Sequence, residues 1–72
     1  MKTRISYRWN DIEEIETITT EDGYNFGDYL RDNNLHWERD TDDDEIGTTY
    51  YILDEFGDRT DEEYIITNIV NE

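Results

Sequence analysis

The chain has 72 residues, of which 21 are Asp or Glu and 6 are Lys or Arg, giving a net charge of −15. That balance excludes direct binding to nucleic acid or to an anionic membrane surface, both of which would repel it. No Cys is present, so neither a disulfide nor a thiolate metal site supports a core that is small at this length. Ten aromatic residues and no Pro argue for a folded domain over an acidic tail. Residues 1–72 are read as a single acidic domain. Met1 to Trp9 contains Lys2, Arg4 and Arg8 and no apolar stretch, so no signal peptide is expected and a cytoplasmic location is the default.

In chain order, Thr3 to Trp9 alternates, with Ile5, Tyr7 and Trp9 on one side and Arg4, Ser6 and Arg8 on the other. This is a half-buried strand. Asn10 and Asp11 form a turn. Ile12 to Thr20 reads two ways: Ile12, Ile15 and Ile18 are spaced as on a helix, while Thr17 to Thr20 favour a strand. The strand reading makes a hairpin with the first strand and sets Glu14 and Glu16 near Arg4 and Arg8. Tyr24 to Asn33 is the one helix, with Phe26, Tyr29 and Leu30 on its inner face. Gly27 weakens it by about 1 kcal/mol relative to Ala. Leu35 to Asp40 alternates as a strand with Leu35 and Trp37 inward, followed by an acidic loop.

Thr48 to Glu55 and Tyr64 to Val70 read as a final hairpin, with residues 56–63 as the connection. Both strands are apolar on both faces: Tyr50 and Ile52 against Tyr51 and Leu53, then Tyr64, Ile66 and Val70 against Ile65 and Ile69. A domain this small has little material to cover a second face, so a homodimer is expected. The fold expected is α+β, an antiparallel sheet of four to five strands with one helix.

Motifs for catalysis or cofactor binding are weak. Asp40, Asp42 and Asp44 match positions 1, 3 and 5 of a calcium loop, but Glu45 stands where Gly is needed and Tyr51 where a bidentate Glu is needed. With 21 acidic residues, glycosidase-like carboxylate pairs arise by chance. His36 is a lone His, and no nucleophile elbow or phosphate-binding Gly loop is present. The expectation is a non-enzyme without cofactor or metal.

The charge carries the stronger argument. A folded chain of this length spans roughly 29 Å, over which duplex DNA carries about 17 charges, close to the charge of the chain itself. A magnitude of about 2–8 suffices for solubility, and more costs stability through self-repulsion. Carboxylates at alternate strand positions lie about 6.6 Å apart, and those at i and i+4 of a helix, such as Asp28 and Asp32, about 5–6 Å, similar to phosphates along one DNA strand. Two rows are the candidate partner-binding residues: Asp40, Asp42, Asp43, Asp44 and Glu45, and Asp54, Glu55, Asp58, Asp61, Glu62 and Glu63. Tyr24, Tyr29, Tyr50, Tyr51 and Tyr64 divide between core and contact.

In size, charge and Tyr/Asp/Asn-rich character, the whole chain resembles the small acidic early proteins of bacteriophages that mimic DNA. That group inhibits host histone-like HU proteins, restriction enzymes, CRISPR nucleases or uracil-DNA glycosylase. Its inhibitors of HU-type nucleoid proteins are the most similar in style. The resemblance is compositional and brings no residue correspondence. It implies a basic DNA-binding host protein as partner, blocked at its DNA site. The rival reading is a regulator that binds a host protein through the apolar strand face.

Overall fold

The alternation at the start of the chain forms the strand Lys2–Trp9 (β1), and the chain turns at Asn10, whose φ of 49° suits Asn. It returns as Glu16–Glu21 (β2), antiparallel to β1, with Ile5 opposite Ile18 and Tyr7 opposite Glu16. The hairpin forms, but residues 12–15 belong to its connection. The expected pairing of Glu14 and Glu16 with Arg4 and Arg8 does not occur. The pleat sets Glu16 on the face of Tyr7, whose hydroxyl donates to it at 3.0 Å, and turns both arginines to the other face. Arg4 pairs with Glu72, and Arg8 donates to the carbonyl of Asn10. The structure, a computed structural model, describes residues 2–72.

The helix Phe26–Asp32 (α1) has seven residues, too few to persist alone. It is fixed at its start by a capping box: Asn25 Oδ1 accepts from the Asp28 N–H at 2.8 Å, and Asp28 Oδ2 accepts from the Asn25 N–H at 3.0 Å. Phe26 and Leu30 are buried against the sheet. The chain leaves α1 through Asn33 and Asn34, the latter with φ 63°, as the Asn pair suggested.

His36–Arg39 (β3), Thr49–Leu53 (β4) and Arg59–Asn71 (β5) complete one antiparallel sheet in the order β2-β1-β5-β4-β3. The fold is thus α+β, with the last strand at its centre. β5 starts well before Tyr64, so the connection narrows to residues 54–58. There Asp54 Oδ1 accepts from the N–H groups of Phe56 and Asp58 at 2.9 and 3.0 Å, and Gly57 supplies a φ of 84°. The early part of β5 has a polar sequence but gains cross-strand contacts. Arg59 lies 3.9 Å from the centre of the Tyr51 ring and bonds Glu38 at 3.0 Å.

A bulge opposite Ser6 and Tyr7 leaves Thr67 unmatched in β5. The extra residue reverses the phase beyond it. Ile69 therefore joins Tyr64 and Ile66 on the core face, while Val70 turns outward with Ile65 and is 42% exposed. Helix α1 covers the first face, over a core of Ile5, Tyr7, Phe26, Leu30, Tyr50, Ile52 and Ile66. Trp37 closes this core from β3, its Nε1–H donating to the Gly27 carbonyl at 2.9 Å. A Cβ on Gly27 would lie 2.2 Å from the Trp37 ring, so the residue that weakens the helix is what lets the indole pack on it.

Candidate partner-binding surface

The two faces of the sheet differ in charge. The face opposite α1 carries Lys2, Arg4, Arg8 and Arg59 against Glu21, Glu38 and Glu63 at its paired strand positions, with Asp61 on the side of Glu63 by alternation and Glu72 paired with Arg4. Between them lie Tyr51, Leu53, Ile65 and Val70. That face is close to neutral, so the whole acidic excess falls on the helix, the loops and the strand ends. On that side Arg31 pairs with Asp28 and Asp32, at 3.1 and 3.8 Å, and Arg39 pairs with Asp44.

The first candidate row leads into β4, and Asp54, Glu55 and Asp58 of the second lead out of it at the other end, while Asp61 to Glu63 lie on β5, Glu63 opposite Tyr51. In the first row, Asp42, Asp43 and Glu45 are exposed. Asp40 is exposed too, but its carboxylate accepts the Thr49 N–H at 3.0 Å and so helps start β4. Asp44 is turned inward, with 9% of its side chain exposed. It accepts from the Phe26 N–H at 2.8 Å, from the Tyr50 hydroxyl, and from Arg39 at 3.5 Å. Burial, then the bond to Asp44, pushes the Tyr50 hydroxyl far above its ordinary pKa, so it stays a donor. Among the described residues, no group of three or more His, Asp or Glu is arranged to hold a metal ion.

The second row divides. Asp54, Glu55 and Asp58 surround the tight turn, Asp54 as its hydrogen-bonding residue. Asp61 and Glu62 are exposed on β5, and Glu63 is half-buried on the near-neutral face. Strand alternation separates Glu62 from Asp61 and Glu63, so these six do not form one line.

The structure adds four carboxylates that the sequence reading did not assign to the surface. Asn10 exchanges bonds with Glu63, its N–H donating to the Glu63 carbonyl at 2.8 Å and its Oδ1 accepting the Glu63 N–H at 2.7 Å. This ties the β1–β2 connection, which carries Asp11, Glu13 and Glu14, to β5 at Glu63, and Glu14 and Glu16 share a hollow with Tyr64, beside which Glu62 also lies. In their midst Trp9, Ile12 and Ile15 are 39%, 43% and 50% exposed. The signal available in the sequence was the set of large apolar residues inside an acidic run. Tyr64 flanks this group, and burial, then the charges of Glu62 and Glu16, raises its pKa.

The chain matches no protein-family model, and comparison with curated proteins and solved structures found no similar protein. Among the described residues no helix is long and apolar enough to cross a membrane.

Proposed function

We propose that the protein binds a basic DNA-binding protein of a host cell and blocks its DNA site by presenting carboxylates in place of phosphates. The observation that carries this reading is the segregation of charge. A −15 chain needing charge only for solubility has no reason to collect it away from one near-neutral sheet face. The longest dimension, 37 Å, is about one turn of duplex DNA (about 34–36 Å). Over that length duplex DNA offers about 20 phosphate charges. An HU-type nucleoid protein is the favoured target, with a restriction, CRISPR or DNA-repair enzyme as the alternative. The setting is the host cytoplasm.

The test is neutralisation of one acidic group at a time, with binding to a purified HU-type protein measured across a salt series. One variant changes Asp11, Glu13, Glu14 and Glu62 to Asn or Gln. The other changes Asp42, Asp43 and Glu45. At least one should lose tenfold or more in affinity, chiefly through slower association, and show a flatter salt dependence with an unchanged circular dichroism spectrum. Normal binding by both, with loss in Tyr51→Ala or Ile65→Ala, would support the rival apolar-face regulator.

The near-neutral face suits a second copy of the chain. Two molecules of this charge repel except where the charge is balanced, and Leu53, Ile65 and Val70 are apolar there. Sedimentation equilibrium should give about twice the 8.8 kDa chain mass, and Ile65→Glu should halve it. A clean monomer at high micromolar concentration contradicts the dimer and leaves the acidic surface unaffected.

A further inference from the structure

Two arginines of this chain sit in the same kind of setting, against an aromatic ring and a carboxylate. Arg59 lies over the Tyr51 ring at 3.9 Å and bonds Glu38 at 3.0 Å. Arg39 lies near the Trp37 and Tyr50 rings, at 5.4 and 5.9 Å, and bonds Asp44 at 3.5 Å. A third set of the same groups has no arginine of this chain in it. A hollow of about 210 Å³ between the β1–β2 connection and β5 is lined by Trp9, Ile12, Glu14, Glu16 and Tyr64. Beside it, a hollow of about 170 Å³ shares Glu16 and Tyr64 and adds Tyr7 and Tyr29 to the wall.

The Glu16 carboxylate stands between the two hollows, held by the Tyr7 hydroxyl at 3.0 Å. Neither Glu14 nor Glu16 is in an ion pair among the described residues. Arg8, next to Trp9 in sequence, points to the opposite sheet face and donates to the Asn10 carbonyl. The hollow therefore combines aromatic rings, an aliphatic side chain and carboxylates that the chain's own cations do not use.

We propose that this hollow receives an arginine side chain of the basic partner, its guanidinium stacked on Trp9 or Tyr64 and bonded to Glu16 and Glu14. This rests on the reading of a basic target and names the side chain that target inserts. Arginine fits better than lysine: a planar guanidinium stacks on a ring and forks to a carboxylate, whereas an ammonium is a compact, strongly hydrated charge. Phosphates bind arginine by the same fork, so the hollow extends the likeness to DNA from charge to geometry.

The experiment titrates the protein with hexa-arginine, hexalysine and hexacitrulline peptides and follows the indole N–H resonances of Trp9 and Trp37 by NMR. Hexa-arginine should shift Trp9 and leave Trp37 in place, binding at least fivefold more tightly than hexalysine, while hexacitrulline does neither. Glu16→Gln and Trp9→Ala should remove the preference for arginine yet retain hexalysine binding. Equal binding of the two cationic peptides with Trp9 unmoved would overturn the arginine site and leave the acidic-surface reading standing. Binding of neither cationic peptide at low salt would overturn both. A preference for arginine that survives Glu16→Gln in a folded variant would also overturn the site.

Discussion

Replacing Asp44 by alanine is expected to destabilise the domain by about 3–5 kcal/mol, the usual cost of removing one member of a buried ion pair. Arg39 and Asp44 have 17% and 9% of their side chains exposed, so water replaces little of what is lost. Without the carboxylate, the Phe26 N–H loses its acceptor at the start of α1, the buried Tyr50 hydroxyl loses its own, and the Arg39 guanidinium keeps only neutral hydrogen-bond partners. A domain of this length is stable by only about 4–11 kcal/mol, so the change removes a large share of the total. Urea denaturation reads it directly. Asp42→Ala, two residues away and exposed, should shift the midpoint little. Equal effects of the two changes would mean that Asp44 is not tied to the core as described. Any variant that neutralises the 40–45 loop to test partner binding should therefore leave Asp44 in place.

Gly27→Ala should also destabilise, against its effect in an ordinary helix. Alanine is favoured over glycine inside helices by about 1 kcal/mol. Here the new methyl would lie 2.2 Å from the Trp37 ring, a rigid group held by its hydrogen bond to the Gly27 carbonyl. Overpacking of this kind costs typically 1–3 kcal/mol, and at this separation the upper end applies. The expected net loss is about 2 kcal/mol by equilibrium unfolding. In a Trp37→Leu background the same substitution should become neutral or stabilising, because only the helix preference remains. A stabilising Gly27→Ala in the unaltered chain would contradict the packing of Trp37 on α1.

These two positions show where the sequence was legible. Gly27 read as a flaw in a helix, because its value depends on Trp37, ten residues later and on another element. Asp44 looked like its neighbours in an acidic run, because only the fold brings Phe26, Arg39 and Tyr50 around it. The strands with clean alternation and the Phe26–Leu30 stripe were readable, since burial on one side writes its period into the chain. The start of β5 was not, because Arg59 to Glu63 has no apolar residue to mark it and depends on Tyr51 and Glu38. Nor was the bulge at Thr67, which sends Val70 to the face opposite the one alternation gave it.

The acidic surface was legible in amount and not in arrangement. Net charge comes from counting, but the near-neutral face depends on which side of the sheet α1 covers. Glu14 and Glu16 read as partners for Arg4 and Arg8, because residues adjacent in a hairpin were given the same side. The register places Glu16 opposite Tyr7 instead, and the carboxylate faces the aromatic hollow.

The most direct measurement is competition with DNA itself. A fluorescein-labelled duplex is bound to a purified HU-type nucleoid protein, and this protein is added while anisotropy is recorded. In parallel, a restriction endonuclease, a CRISPR nuclease and uracil-DNA glycosylase serve as alternative targets. The account predicts that for at least one of them the duplex is released at low salt, that excess unlabelled duplex reverses the protein's own binding, and that its binding weakens steeply as NaCl rises. If the duplex stays bound in all four cases at low salt, the acidic surface does not imitate DNA for these targets, and the central claim is contradicted.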